Sequence, residues 1–256
     1  MPLVDEMERS GARLFRWRSY IPLVLVVVVA IALTQFTFPR GSHALDIAWD
    51  ALCLCVSLSG LAIRAITVGH VSDRTSGRNT KKQIADELNT TGMYSIVRHP
   101  LYFANFWIWF GIALFPRVWW CACIVALGTL VFYERVMLAE ERFLRERFGD
   151  TFVQWANRTP AFWPRLRDWR PSSRPFSIRM VLRREYSGLF AIASAFSVLE
   201  IASHYIVEDR LHIEPFWAAF FGVSLAAYVT LRTLKKKGLL DEPHGTRTEL
   251  GTQTKA

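Results

Sequence analysis

The chain has 256 residues, 52% of them hydrophobic and 21% charged, with a formal net charge of +9. Its mean hydropathy is +0.19 and its pI about 9.7. With 14 Gly and 11 Pro set against 18 Phe and 10 Trp, a disordered or collagen-like chain is excluded, and a soluble basic nucleic-acid binder would not carry this hydropathy.

In chain order the apolar residues fall in blocks at Ile21–Phe38, Ile47–Ile66, Leu101–Phe115, Val118–Tyr133, Ser187–Val207 and Phe216–Leu234. A helix rises ~1.5 Å per residue, so ~20 residues cross ~30 Å of hydrocarbon. Four blocks meet or approach that length. The third and fourth are shorter, and Pro116-Arg117 between them predicts a tight helical hairpin. The first block reads as a retained helix and not a cleaved leader. The predicted fold class is therefore all-α and polytopic, with about six transmembrane helices. With six crossings, 28 of the 31 Lys and Arg fall on one side, and the other side keeps only Arg40, Arg117 and Arg210. The positive-inside rule places that basic side, and both termini, in the cytoplasm; in a bacterium the membrane would be the inner one. Trp17, Trp119, Trp120 and Trp217 sit at block edges, as interfacial anchors or packing residues do.

Cys53/Cys55 and Cys121/Cys123 are Cys-x-Cys pairs inside apolar helices. Positions i and i+2 point about 200° apart, so neither pair can chelate a metal. Glu200 and His204 share a face of the fifth block, either as a hydrogen-bonded pair holding helices together or as a functional pair. His43, His70, His212 and His244 show no metal-ligand spacing. No metal and no nucleic-acid partner is expected.

Two stretches on the basic side carry the specific signal. The first is Thr90–Tyr102, ending in Arg98-His99-Pro100-Leu101-Tyr102. Pro100 suits the first turn of a helix. The helix start, with Arg98 and His99 beside it, is suited to a carboxylate or phosphate. The second is the charged continuation of the fourth helix, with Arg135 and Glu140-Glu141, predicted to stop at Gly149. Phe148, Phe152 and Trp155 are expected to dock the next segment back on the membrane.

Taken together, Gly92-x-Tyr94-x-x-x-Arg98-His99-Pro100-x-Tyr102, a hydrophobic hairpin, Glu140-Glu141, Phe148-Gly149, Phe152, Trp155 and Pro160 resemble the isoprenylcysteine carboxyl methyltransferase and phospholipid methyltransferase family of integral-membrane enzymes. The resemblance covers about residues 50–166. Phe152 and Trp155 stand where the family usually has tyrosines. The resemblance implies a cytoplasmic S-adenosylmethionine pocket built by the Arg-His-Pro helix start, the emerging fourth helix and the loop to Pro164. In it, Tyr94, Arg98, His99, Pro100, Tyr102 and Glu140 would bind the cofactor. Glu141 and Arg135 would act on the acceptor, Glu141 (or Glu140) as base and Arg135 to orient an acidic group. The expected partners are membrane lipids and a lipid, isoprenoid or other amphiphilic acceptor. The expected division is an N-terminal segment and first helix (1–46), a methyltransferase-like core (47–166), a basic linker (167–185), two additional helices (186–234) and a polar tail (235–256).

Two other readings compete. Membrane sterol or steroid reductases carry a similar Arg-His-Pro-x-Tyr motif and use a nicotinamide cofactor, but have Asn where this chain has Leu101. A transporter or scaffold would lack a cofactor altogether, and the six blocks show no repeat of the transporter kind.

Overall fold

A computed structural model describes residues 6–7, 10–11, 13–14, 20, 22–38, 43–71 and 85–241. Trp17, Arg40 and His244 lie outside them, as does the side chain of His43. The elements are α1 (Pro22–Leu33), α2 (His43–Gly69), α3 (Met93–Ile96), α4 (Pro100–Leu114), α5 (Trp119–Phe148), α6 (Asp150–Ala156), a 3-10 turn (Leu166–Asp168), α7 (Ile178–Glu208) and α8 (Pro215–Lys236). Among the described residues no strand forms, and one isolated bridge pairs Gly92 with Arg170.

Four helical stretches, Ala44–Gly69, Trp119–Phe148, Ile178–Glu208 and Pro215–Lys236, are long and apolar enough to cross a membrane. Leu23–Leu33 and Pro100–Leu114 are apolar but shorter. Val24, Val27, Leu127, Val131, Val223 and Val229 all face outward. A soluble bundle would bury such side chains; here lipid covers them, and the chain is an integral membrane protein.

The first apolar block is not one helix to Phe38. Its helix stops at Leu33, where Thr34 and Gln35 turn the chain and the Thr34 hydroxyl donates to Ile31 O at 2.7 Å. Phe36 then folds inward and stacks on Phe115, and the guanidinium of Arg117 lies 4.7 Å over the Phe36 ring. Arg117, in the hairpin turn, has φ 63°, and its side chain donates to Asp46, Asp50 and Thr37 O. The segment after α1 and the start of α2 both converge on that one residue, so the turn is fixed by more than its loop length.

α2 is the central helix, packed chiefly on α4 and α7. Gly60 and Gly111 permit the α2–α4 approach. A methyl group added at Gly60 would stand 2.4 Å from Ala104 O, and one at Gly111 would stand 2.6 Å from Cys53 O. The Ser57 hydroxyl donates to Ile108 O at 2.9 Å across the same seam. Small residues let the backbones meet where lipid gives helices no hydrophobic reason to associate. Cys53 and Cys121 are buried, whereas Cys55 and Cys123 are exposed, as the i, i+2 geometry requires.

α7 is longer than its apolar block. It starts at Ile178, capped by the Ser177 hydroxyl, so residues 178–185, ahead of the apolar block, are helical too. Of the edge tryptophans, Trp119 is 77% exposed, as an anchor would be, while Trp217 is buried and stacks on Phe196.

Candidate active site

The Arg-His-Pro turn is built by three straps. α3 ends at Ile96, whose carbonyl accepts from Arg165 N at 2.9 Å, and Arg98 N donates to Pro160 O at 2.8 Å. Gly92, at φ 62°, turns the chain so that its N–H reaches Arg170 O. A side chain at that φ would be strained. Phe162, from the same returning loop, packs edge-on against Phe103 and Phe106 of α4. The loop to Pro164 thus clamps both sides of the turn. Trp155, expected to face the membrane, instead donates its indole N–H to Tyr94 O at 3.1 Å, and Phe152 is buried beside it.

His99 caps α4 and Pro100 occupies its first turn. Opposite them α5 runs past the apolar region and ends at Gly149, at φ 53°, as the sequence predicts. The side chains meet across this gap. Glu141 accepts from Arg98 NH1 at 3.0 Å on one oxygen and faces His99 Nε2 at 2.9 Å with the other. The Tyr102 hydroxyl donates to Glu140 Oε2 at 2.8 Å, and His99 Nδ1 lies 3.8 Å from that same oxygen. His99 stacks on Tyr102, which stacks on Tyr133 of α5. The His99 side chain is only 4% exposed and the Glu140 side chain 33% exposed, so the site has a closed floor and an open carboxylate rim.

The structure therefore brings together Arg98, His99, Pro100, Tyr102, Glu140 and Glu141. The backbone N–H groups of Tyr102 and Phe103, expected to face an anion, both bond His99 O at 3.1 Å. Tyr94 lines a small polar cleft of about 80 Å³ whose walls include none of the other candidates but do include His70 and Arg174. Arg135 precedes Glu141 by six residues, which puts it about 120° around α5 at ~100° per residue. It is half-buried, and Gly11 packs against its carbonyl.

Sequence reasoning missed a second polar layer beneath the site. Arg64 of α2 binds Glu185 of α7 through two hydrogen bonds, at 2.7 and 2.9 Å, and Asn105 of α4 at 2.8 Å. One guanidinium thus ties three helices together. The signal was available: Arg64 and Asn105 are polar residues inside apolar helices.

A membrane bundle with an aromatic-floored, carboxylate-rimmed site at one end is the class this geometry defines. The phospholipid methyltransferase family profile matches residues 52–151. The chain is 36% identical over 162 residues to the nickel-cobalt-cadmium resistance protein NccN of Alcaligenes xylosoxydans xylosoxydans, covering 62% of this chain and 70% of that protein. It is 34% identical over 149 residues to the cobalt-zinc-cadmium resistance protein CzcN of Cupriavidus metallidurans, covering 57% of this chain and 65% of that one. It is 30% identical over 122 residues to protein-S-isoprenylcysteine O-methyltransferase B of Arabidopsis thaliana, covering 42% and 59%. No solved structure matches the chain. The chain belongs to the phospholipid and isoprenylcysteine methyltransferase family and is a membrane methyltransferase.

Proposed function

We propose that the protein transfers a methyl group from S-adenosylmethionine to a lipid, isoprenoid or other amphiphilic acceptor at the cytoplasmic face of the membrane, where both termini also lie. The observation that carries this reading is the Arg98–His99–Glu141 and Tyr102–Glu140 set at the mouth of α4 and α5. The donor set fits the cofactor. Arg98 Nε is buried and has no hydrogen-bond partner, so it is available to a carboxylate. Glu140 Oε1 accepts no hydrogen bond among the described residues and suits an ammonium or ribose hydroxyl. The Glu140 carboxylate on the open rim suits a sulfonium. When bound, the cofactor supplies an electrophilic methyl group.

The chain's own residues do the positioning. Glu141 fixes the His99 ring and the Arg98 fork, and Tyr102 fixes Glu140. The stack of His99, Tyr102 and Tyr133 keeps the floor dry, and such preorganisation is the main lever for an in-line displacement. A carboxylate acceptor needs no base; an amine or hydroxyl acceptor does, and Glu141 or Glu140 is the group at hand. Pro100 sets the helix start. Tyr94 is assigned to the adenosyl side through its cleft, and Arg135 to orienting an acidic acceptor. Residues 47–166 form the methyl-transfer unit, with 186–234 as an added helical pair. The names of the two bacterial relatives suggest divalent-metal resistance as a physiological setting without naming an acceptor.

The test is binding of S-adenosylhomocysteine to the purified chain, followed by labelled S-adenosylmethionine in native membranes to identify the product. Binding that is lost in His99→Ala and Glu140→Ala supports the reading, and unchanged binding in both overturns it. Stabilisation by NADPH instead would favour the reductase reading.

A further inference from the structure

The end of the bundle away from Glu140 and Glu141 holds a second polar cluster. Glu200 lies about 33 Å along α7 from Ile178, at ~1.5 Å per residue. The start of α7 is tied to the far end of α2 by Ser177 N donating to Gly69 O. Asp46 and Asp50, near the start of α2, therefore share the Glu200 end of the bundle. There Asp46, Asp50, Glu200, Ser203 and His204 are all buried, and Asp50 lies beside Glu200.

The spacing along α7 gave only Glu200 and His204, and the sequence alone gave no metal-ligand pattern. The fold adds a third donor, because α8 begins at Pro215 and swings Glu214 back over α7. One ligand atom from each of Glu200, His204 and Glu214 lies within 4.8 Å of the others. Two further observations point to a cation. First, charge is unbalanced. Arg117 is bonded to Asp46 and Asp50, and no lysine or arginine forms an ion pair with Glu200 or Glu214 among the described residues. Glu200, a buried carboxylate with the imidazole of His204 beside it and Glu214 half-buried nearby, is costly to hold there without a cation. Second, His204 is flanked by a carboxylate at each ring nitrogen. Nε2 is 3.2 Å from Glu200 Oε1, and Nδ1 is 3.5 Å from Glu208 Oε1. Nδ1 is buried and makes no hydrogen bond. A carboxylate behind one imidazole nitrogen, with the other nitrogen aimed among carboxylates, is how ligating histidines are oriented.

We propose that Glu200, His204 and Glu214 bind one divalent transition-metal ion of the zinc, cobalt or nickel class at this end of the bundle. Glu208 acts behind His204. The exposed His212, whose ring centre is 5.0 Å from that of His204, is the nearest further donor. The imidazole selects this class over calcium and magnesium, which take oxygen ligands. Bonds of ~2.0–2.2 Å to such an ion put neighbouring ligand atoms ~3–3.5 Å apart; Glu200 and His204 already stand at 3.2 Å, so only Glu214 has to close in, by at most about 1.5 Å. The site is separate from the methyltransferase site and needs no cofactor there.

The test uses the full chain, purified in detergent and stripped with a chelator. Zinc is added and the metal retained after desalting is measured; cobalt, added in parallel, reports ligand geometry by its visible absorption. The expected result is one zinc per chain, with affinity at least tenfold weaker in Glu214→Gln and in His204→Gln, and weaker in Glu208→Gln. Glu214 caps α8 without a side-chain cap bond and is half-buried, so Glu214→Gln leaves the helix start intact and decides the matter if the α7 variants do not fold. No retained zinc, or zinc retained equally by Glu214→Gln, overturns the proposal. Selective retention of calcium or magnesium overturns the metal class.

Discussion

Replacing Arg98 with lysine separates the proposed cofactor contact from the fold. The backbone N–H of Arg98 bonds Pro160 O at 2.8 Å, and that bond does not depend on the side chain. Arg98 NH1 holds Glu141 at 3.0 Å, between side chains 19% and 23% exposed, while Nε waits buried without a partner. Lysine keeps the charge but has one compact ammonium in place of a planar fork. It can serve Glu141 or a cofactor carboxylate, not both in the arginine geometry. The loss for the ligand is one charge-assisted hydrogen bond, about 1.5–3 kcal/mol, which is about 10- to 150-fold in affinity. The loss for the fold is less than about 1 kcal/mol, because the ion pair is partly exposed and an ammonium preserves it. Calorimetric titration of S-adenosylhomocysteine into the detergent-solubilised chain measures the first quantity, and a thermal melt the second. Arg142→Lys, in the exposed pair with Glu146, is the control and should change neither. Affinity within twofold of the parent would refute the assignment of Arg98 to the ligand. A large drop in melting temperature would refute it too, by making Arg98 a structural residue.

Three more outcomes are expected. Tyr102→Phe removes the 2.8 Å donor to Glu140 while keeping the ring stack, so it should cost about 0.5–1.5 kcal/mol; ligand titration should show up to about tenfold weaker binding with little change in melting. Glu185→Gln strips the charged partner from Arg64, whose side chain is 15% exposed, and should destabilise by about 3 kcal/mol. Replacing both Arg64 and Glu185 with methionine should recover most of that in the same thermal melt. Gly60→Ala puts a methyl group 2.4 Å from Ala104 O, so α2 and α4 must separate; a loss of about 1–3 kcal/mol is expected from thermal melts, against almost none for Gly128→Ala, where nothing lies within 4 Å.

Much of this protein was legible in one dimension because its signals are local. Apolar block length gave the helices, and Pro100 and Gly149 gave the start of α4 and the end of α5. Where the reading strayed, neighbours overrode local preference. The helix of the first block stops at Leu33 because Phe36 and the Thr37 carbonyl are drawn to Phe115 and Arg117, a pull that no window around Thr34 contains. Glu185 fell outside the apolar block because it is charged, and its charge is satisfied by an arginine 121 positions earlier. Trp155 looked like a membrane anchor because an indole is amphipathic, and its N–H found Tyr94 O instead.

The candidate site divides along the same line. The sequence alone determined which residue types stand at the start of α4 and the end of α5, and with them the family. Only the tertiary structure decided that Glu141 holds both Arg98 and His99, and that Tyr102 holds Glu140. It also brought Glu214 to Glu200 and His204, and Arg64 to Glu185 and Asn105. The physical reason is that hydrophobic periodicity and helix caps act within a few residues. Polar pairing in a membrane bundle is set instead by which helix faces meet, and those meetings depend on close approaches such as Gly60 on Ala104.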